Sequence, residues 1–192
     1  MQVISSLINM QSSYLQDEQA KKALQNSVDR VQIMADIHNL LYHSGDMARI
    51  DIGGFIRDLT SSLQQSYTVA GAPVEIHVDT ADVSLALEQA VPCGLILNEL
   101  VSNAMKHAFP EGKEGKININ MRLQDTQVVL TVQDNGIGFP KAIDVANLKT
   151  MGMELVNILV GQIGGEIGMQ VDGGTIWTIT FPVRNERVWR NG

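Results

Sequence analysis

The sequence predicts an α+β chain in two parts: an amino-terminal helical hairpin, then an α/β sandwich. Three observations carry this. Residues 1 to about 45 repeat apolar side chains at helical spacing and hold no alternating run. Past Asp46 the pattern changes, and strand-like segments such as Val74-Glu75-Ile76-His77-Val78 interleave with helical ones. Near the carboxyl end two alternating runs flank Asp172-Gly173-Gly174, a hairpin signal.

The elements follow in order. Met1, Ile4, Ile8 and Leu15 mark a first helix over residues 1 to about 15. Asp17 and Glu18 read as the acidic first turn of a second, which carries Leu24, Val28, Val31, Met34, Ile37 and Leu41 and stops near Ser44-Gly45. So thin a hairpin cannot bury both apolar stripes alone, so pairing with a second copy into a four-helix bundle is expected. Asp51 is placed to cap a helix through Phe55, Ile56, Leu59 and Leu63. A long helix is expected over roughly 86 to 108, with Pro92 near its start or at a kink. Ile117 to Leu123 and Val128 to Val132 read as strands joined around Gln124-Asp125. Residues 139 to 150 read as a loop, then a helix runs from Met151 to Ile163. Glu166 to Val171 and Thr175 to Phe181 form the last hairpin. The expected division is 1–45 for the hairpin, 46–183 for a mixed sheet with helices on one face, and 184–192 for a polar, frayed tail.

Composition narrows the function. The chain has 192 residues, 44% of them hydrophobic, and a formal net charge of −7 with no long Lys/Arg run. A nucleic-acid surface is not expected. Cys93 is the only cysteine, which excludes an intrachain disulfide and a cysteine-based zinc site. Runs such as Leu95-Ile96-Leu97 and Ile158-Leu159-Val160 are too short to span a bilayer, and no signal-peptide pattern opens the chain. A cytoplasmic protein, or the cytoplasmic piece of a larger one, is expected.

Two segments carry chemistry. In Asn98-Glu99-Leu100-Val101-Ser102-Asn103-Ala104-Met105-Lys106-His107, the residues Glu99, Asn103, Lys106 and His107 fall on one helix face, with Leu97, Leu100, Val101 and Ala104 opposite. An Asn amide oxygen is a hard ligand suited to Mg²⁺, a nearby carboxylate can hold a metal-bound water, and a Lys can offset phosphate charge. An exposed polar face of an amphipathic helix explains the same four residues. In Asp134-Asn135-Gly136-Ile137-Gly138-Phe139-Pro140, an acid ends a strand before glycines that allow close backbone approach. A carboxylate there can accept from an exocyclic amino group, which would select adenine over guanine. A plain Asp-Asn-Gly turn is the competing account. Gly152 lies where a helix begins, an end suited to phosphates. Thr175 follows Gly173-Gly174 and is placed to set its hydroxyl beside the pocket acid, although that segment also reads as a simple hairpin turn.

With these residues in view, the second part resembles the ATP-binding domain shared by sensor histidine kinases, type II topoisomerases and Hsp90-like chaperones. Asn98 to His107 resembles its first motif and Asp134 to Gly138 its second. Thr150-Met151-Gly152-Met153-Glu154-Leu155-Val156 resembles the glycine motif that closes the lid, and Gly173-Gly174-Thr175 the last. Gln2 to Ser12 and Val31 to Tyr42 look like the dimerisation helices of one histidine-kinase branch, so the resemblance covers about residues 1 to 183. It implies that Asn103 holds Mg²⁺, Glu99 positions a water or the attacking group, Lys106 and His107 contact phosphates, Asp134 binds the adenine amino group, and Gly136, Gly138 and Gly152 shape pocket and lid. ATP and Mg²⁺ are the implied cofactors; a second copy of the chain and the receiver domain of a response regulator are the implied partners.

In that branch the phosphate-accepting histidine precedes the segment matched by Gln2-Val3-Ile4, so the acceptor is expected outside this chain. Either the chain is a fragment of a longer kinase or it has given up self-phosphorylation. His38, in register with Val31, Met34 and Leu41, is the substitute candidate, though a satisfied core or interface histidine is the simpler reading. His43 and His77 read as surface positions. Three functions compete: transfer of the γ-phosphate to a histidine, a nucleotide-gated dimeric interaction module without transfer, and an ATP-hydrolysing clamp that uses Glu99 on water.

Overall fold

A computed structural model describes residue 10 and residues 17–43, 50–68, 74–81, 83–110, 113–139 and 150–184. The first expected helix, apart from Met10, and the expected loop between 139 and 150 lie outside these residues. Helix α1 spans Glu18–His43, followed by β1 (Ile50–Asp51), α2 (Ile52–Thr68), β2 (Val74–Thr80), β3 (Ser84–Leu85) and α3 (Leu87–His107). Then come β4 (Gly115–Gln124), β5 (Gln127–Asp134), α4 (Met151–Gln162), β6 (Glu166–Val171) and β7 (Thr175–Pro182). The α+β class expected from the sequence holds.

Five strands form one mixed sheet in the order β2-β4-β5-β7-β6. β2 and β4 run parallel, and every other pair is antiparallel. β4 and β5 turn through Asp125-Thr126, where Asp125 takes φ 54, a left-handed conformation that Asp tolerates. Alternation sends Ile117, Ile119 and Met121 of β4, Val128, Leu130 and Val132 of β5, and Trp177, Ile179 and Phe181 of β7 into one core. The facing layer comes from Ile52, Phe55 and Ile56 of α2, Ile96, Leu97, Leu100 and Val101 of α3, and Val156 and Val160 of α4.

Local chemistry sets the helix ends. Asp51 caps α2, its carboxylate accepting from Gly53 N at 3.1 Å. Thr150 caps α4, its hydroxyl accepting from Met153 N at 3.3 Å. α4 ends in a Schellman turn: Gly164 takes φ +70, and Gly165 N donates to Val160 O at 2.9 Å. Pro92 lies inside α3, which continues past it.

Four differences from the sequence reading are informative. β1 and β3 form a separate two-stranded pair, too short to show alternation in sequence. Asp17 is the cap of α1 rather than part of its first turn, accepting from Ala20 N. Among the described side chains of α1, Val28 of the expected stripe is buried, but so are Ile33 and Ala35 outside it, whereas Met34 of the stripe is exposed. The helix lies on α3 of its own chain, which selects a face rotated from that stripe. Arg184, expected to begin a frayed tail, is held: its backbone N donates to Gln89 Oε1 and its guanidinium to Gln162 O. The buried Gln89 side chain also donates to Pro182 O at 2.7 Å, tying the end of β7 to α3.

Candidate functional site

α3 is buried on most of its surface because α1 covers one side and the sheet another. The expected polar stripe is therefore graded. Glu99 is only 8% exposed, Asn103 is half-buried, and Lys106 and His107 are exposed at the carboxyl end. The Lys106 ammonium in the last turn suits the negative end of the helix dipole. Leu97, Leu100, Val101 and Ala104 are buried, as the spacing predicts.

Glu99, Asn103, Lys106 and His107 line a cavity of about 510 Å³, within the range of small-molecule sites. Asp134, Gly138 and Thr175 line it from the sheet side, and Thr150, Met151, Gly152 and Met153 from the start of α4. The structure thus brings together every expected site residue except Gly136, which sits behind the wall, and His38, whose side chain lies outside the described residues.

Asp134 ends β5 and is 5% exposed. Its Oδ1 accepts from Gly136 N at 2.9 Å and Thr175 N at 3.2 Å. Among the described residues Oδ2 has no recorded partner. A buried carboxylate oxygen without a partner is costly in isolation, so its place in a cavity wall fits a ligand that donates. Thr175, 3% exposed, reaches this acid through its backbone amide; no hydroxyl bond to Asp134 is recorded among the described residues.

The glycines have separate reasons. A Cβ on Gly136 would lie 2.3 Å from Ala108 O, so Gly136 lets the loop rest on the end of α3, where Ile137 N donates to Ala108 O at 2.9 Å. Gly138 takes φ +67. Gly174, at φ +144, packs so closely that a Cβ would collide with Asp134 O. A Cβ on Gly152 would lie 2.7 Å from Glu99 Oε2, so the start of α4 and the carboxylate pack closely, and a larger residue there would push the Glu99 side chain aside.

At this end Asn103 Nδ2 contacts Met153 Sδ at 3.9 Å, and its Oδ1 has no recorded partner among the described residues. That oxygen is a suitable hard-cation ligand. Among the described residues no three His, Cys, Asp or Glu cluster to hold a metal, so a cation here would draw its remaining ligands from water and a bound anion.

Sequence reasoning missed several wall residues, among them Leu100 and Ala104, which it placed on the opposite face of α3, and Phe139, Trp177 and Arg30. Phe139 and Trp177 meet edge to face, ring centroids 6.0 Å apart at 88°, and form an apolar wall beside Asp134. Inward alternation on β7 was the available signal for Trp177. Arg30 reaches the cavity from α1, its Nε 2.9 Å from Glu99 Oε1. Nothing in sequence pairs two residues 69 positions apart. Cys93, on the buried side of α3, is not in the wall; burial pushes its thiol pKa up to about 12.

The histidine kinase-, DNA gyrase B- and HSP90-like ATPase family model matches residues 88–185, and a histidine kinase model, HisKA_2, matches residues 1–67. The chain is 27% identical over 195 residues to Blue-light-activated histidine kinase 2 of Erythrobacter litoralis, an alignment covering 96% of this chain and 54% of the relative. It is 26% identical over 188 residues to sensor histidine kinase PdtaS of Mycobacterium tuberculosis, covering 95% and 37%. The chain therefore spans about half or less of these curated relatives. The solved histidine kinase domain of the Erythrobacter litoralis EL346 blue-light activated histidine kinase superposes with a TM-score of 0.73 at 25% identity, covering 94% of this chain and 84% of that one. Among the described residues no helix is long and apolar enough to cross a membrane.

Proposed function

The chain belongs to the histidine kinase-, DNA gyrase B- and HSP90-like ATPase family, and from that premise we propose that it binds Mg-ATP in this cavity and passes the γ-phosphate to a histidine. The observation that carries the reading is the buried Asp134 carboxylate in the cavity wall, fixed through one oxygen by two backbone amides, with the other oxygen unpartnered among the described residues. That oxygen only accepts, and the adenine amino group donates, whereas guanine offers a carbonyl at the same place. Phe139 and Trp177 supply apolar contact beside it.

Phosphates then extend along α3 towards the start of α4, where the positive end of the helix dipole favours negative charge. Lys106 and His107 contact phosphate oxygens. Asn103 contributes the protein oxygen to a Mg²⁺ that neutralises charge on the phosphates. Glu99 orients the acceptor imidazole and accepts its proton as the new N–P bond forms and the bond from the γ-phosphorus to the β,γ-bridging oxygen breaks, leaving ADP. Little covalent work falls to the protein, so positioning and charge stabilisation carry the rate. Residues 46–183 form the nucleotide-binding unit, a division favoured by the packing of α2 on β2 and α3. Residues 1–45 form the dimerisation hairpin, and a receiver aspartate is the later recipient.

Incubation with γ-labelled ATP and Mg²⁺, with and without a supplied acceptor helix, tests the reading. Acid-labile, base-stable label on a histidine is expected. Nucleotide binding with no transfer to any acceptor would favour the interaction-module reading instead. Asn103→Asp should lower transfer more than it lowers adenine-nucleotide binding.

A further inference from the structure

One cation in the cavity comes from outside the sheet-bearing half. Arg30 sits within α1, yet its side chain is only 19% exposed and Glu99's 11%, with Nε and Oε1 2.9 Å apart. A guanidinium carries five donors in a planar fork, and only Nε is committed here. Among the described residues neither terminal nitrogen has a recorded partner, and both belong to a side chain that lines the cavity. The other oxygen of Glu99 lies against Gly152, itself close to the Asn103 amide. Arg30, Asn103 and the start of α4 thus surround one end of the cavity.

That end is far from Asp134. The Asp134 loop rests on Ala108, and Glu99 precedes Ala108 by nine residues, about 13 Å along the helix. If the base sits at Asp134, the last phosphate of a triphosphate lies near Arg30. Glu99 alone would repel it, and a fork with free donors offsets that repulsion.

We propose that Arg30 binds the γ-phosphate and sets a preference for ATP over ADP, so that the terminal phosphate and the seating of α1 on α3 stabilise each other. The inference rests on the nucleotide reading above. Linkage makes the coupling reciprocal: whatever displaces α1 weakens ATP specifically.

Calorimetric titration with Mg-ATP and Mg-ADP tests it, using wild type, Arg30→Gln, Arg30→Lys, Glu99→Gln and the Arg30→Gln/Glu99→Gln pair. Arg30→Gln should weaken ATP about tenfold or more and ADP by less than about twofold. The ATP-specific loss should persist in the Glu99→Gln background, and Arg30→Lys should recover part of it by charge alone. Unchanged ADP binding also reports that the variant is folded. Equal loss of ATP and ADP would reduce Arg30 to a structural seat and overturn the proposal. So would disappearance of the loss in the Glu99→Gln background, which would mean Arg30 acts only by neutralising Glu99. Tighter ATP binding by Arg30→Gln would overturn it too, by marking a latch that excludes nucleotide. Wild type binding neither nucleotide would overturn the functional reading itself, a result distinct from these.

Discussion

The two ends of the cavity are built differently. At the Asp134 end, neighbouring strands, a carboxylate held by two backbone amides and two tightly packed glycines, Gly136 and Gly174, fix the geometry. At the Glu99 end, three helices meet, and one ion pair joins α1 to α3. Backbone hydrogen bonds of a central strand hold their places until the domain unfolds, whereas helix seating can change at lower cost. Under the proposed function, base recognition falls to the rigid end and phosphate-dependent response to the end made of separable parts.

The largest expected effect breaks the rigid end outright. Gly174→Ala puts a methyl group into the Asp134 carbonyl at a positive φ. A destabilisation of about 3 kcal/mol or more is expected, measured by denaturant unfolding. Asp134→Asn leaves that backbone in place but turns a pure acceptor into a mixed group. ATP binding should weaken by about 2 kcal/mol, roughly thirtyfold in Kd, with little change in the unfolding midpoint. Thr150→Ala removes the cap of α4 at the Glu99 end. It should cost about 1 kcal/mol of stability and loosen triphosphate binding more than adenosine binding, read by parallel titrations.

Cys93 probes the buried side of α3, the helix that runs between the two ends. Its thiol is buried on α3 and its pKa is raised to about 12, so labelling by a thiol reagent at neutral pH should wait for unfolding. The neutral thiol's contribution is intact below about pH 9, the ordinary value, and declines as pH rises towards 12. The smallest effect lies far from either end. On the exposed edge, the Arg122 guanidinium holds the Asp79 carboxyl below its usual value. A depressed carboxyl contributes above its unfolded pKa and loses that contribution as pH falls. Arg122→Ala should therefore shift the melting temperature little at neutral pH, and the residual difference should vanish on acidification.

The same contrast governs what could be read in the sequence. Strands β2 and β4 to β7 and helices α3 and α4 announce themselves through alternation, helical spacing and glycine turns, all local signals. Asp134 was legible for that reason: an acid at a strand end before glycines keeps its place whatever packs around it. Arg30 was not, because in sequence it is an ordinary charged residue on an amphipathic helix, and only the docking of α1 brings it to Glu99. The exposure of Met34 and the burial of Ile33 have the same origin, since the face of α1 is chosen by its partner and not by its own period. Trp177 sits between these cases: its inward register was readable, but its edge-to-face meeting with Phe139 depends on how the loop after β5 folds back.

Selection of an adenine nucleotide by Asp134 should show itself in base discrimination. Mg-ATP and Mg-GTP would be titrated into the wild-type chain and Asp134→Asn. Wild type is expected to bind ATP well ahead of GTP, and the variant to lose most of that preference through weaker ATP binding. Equal affinity for the two bases in wild type, or an unchanged preference in the variant, would contradict that selection.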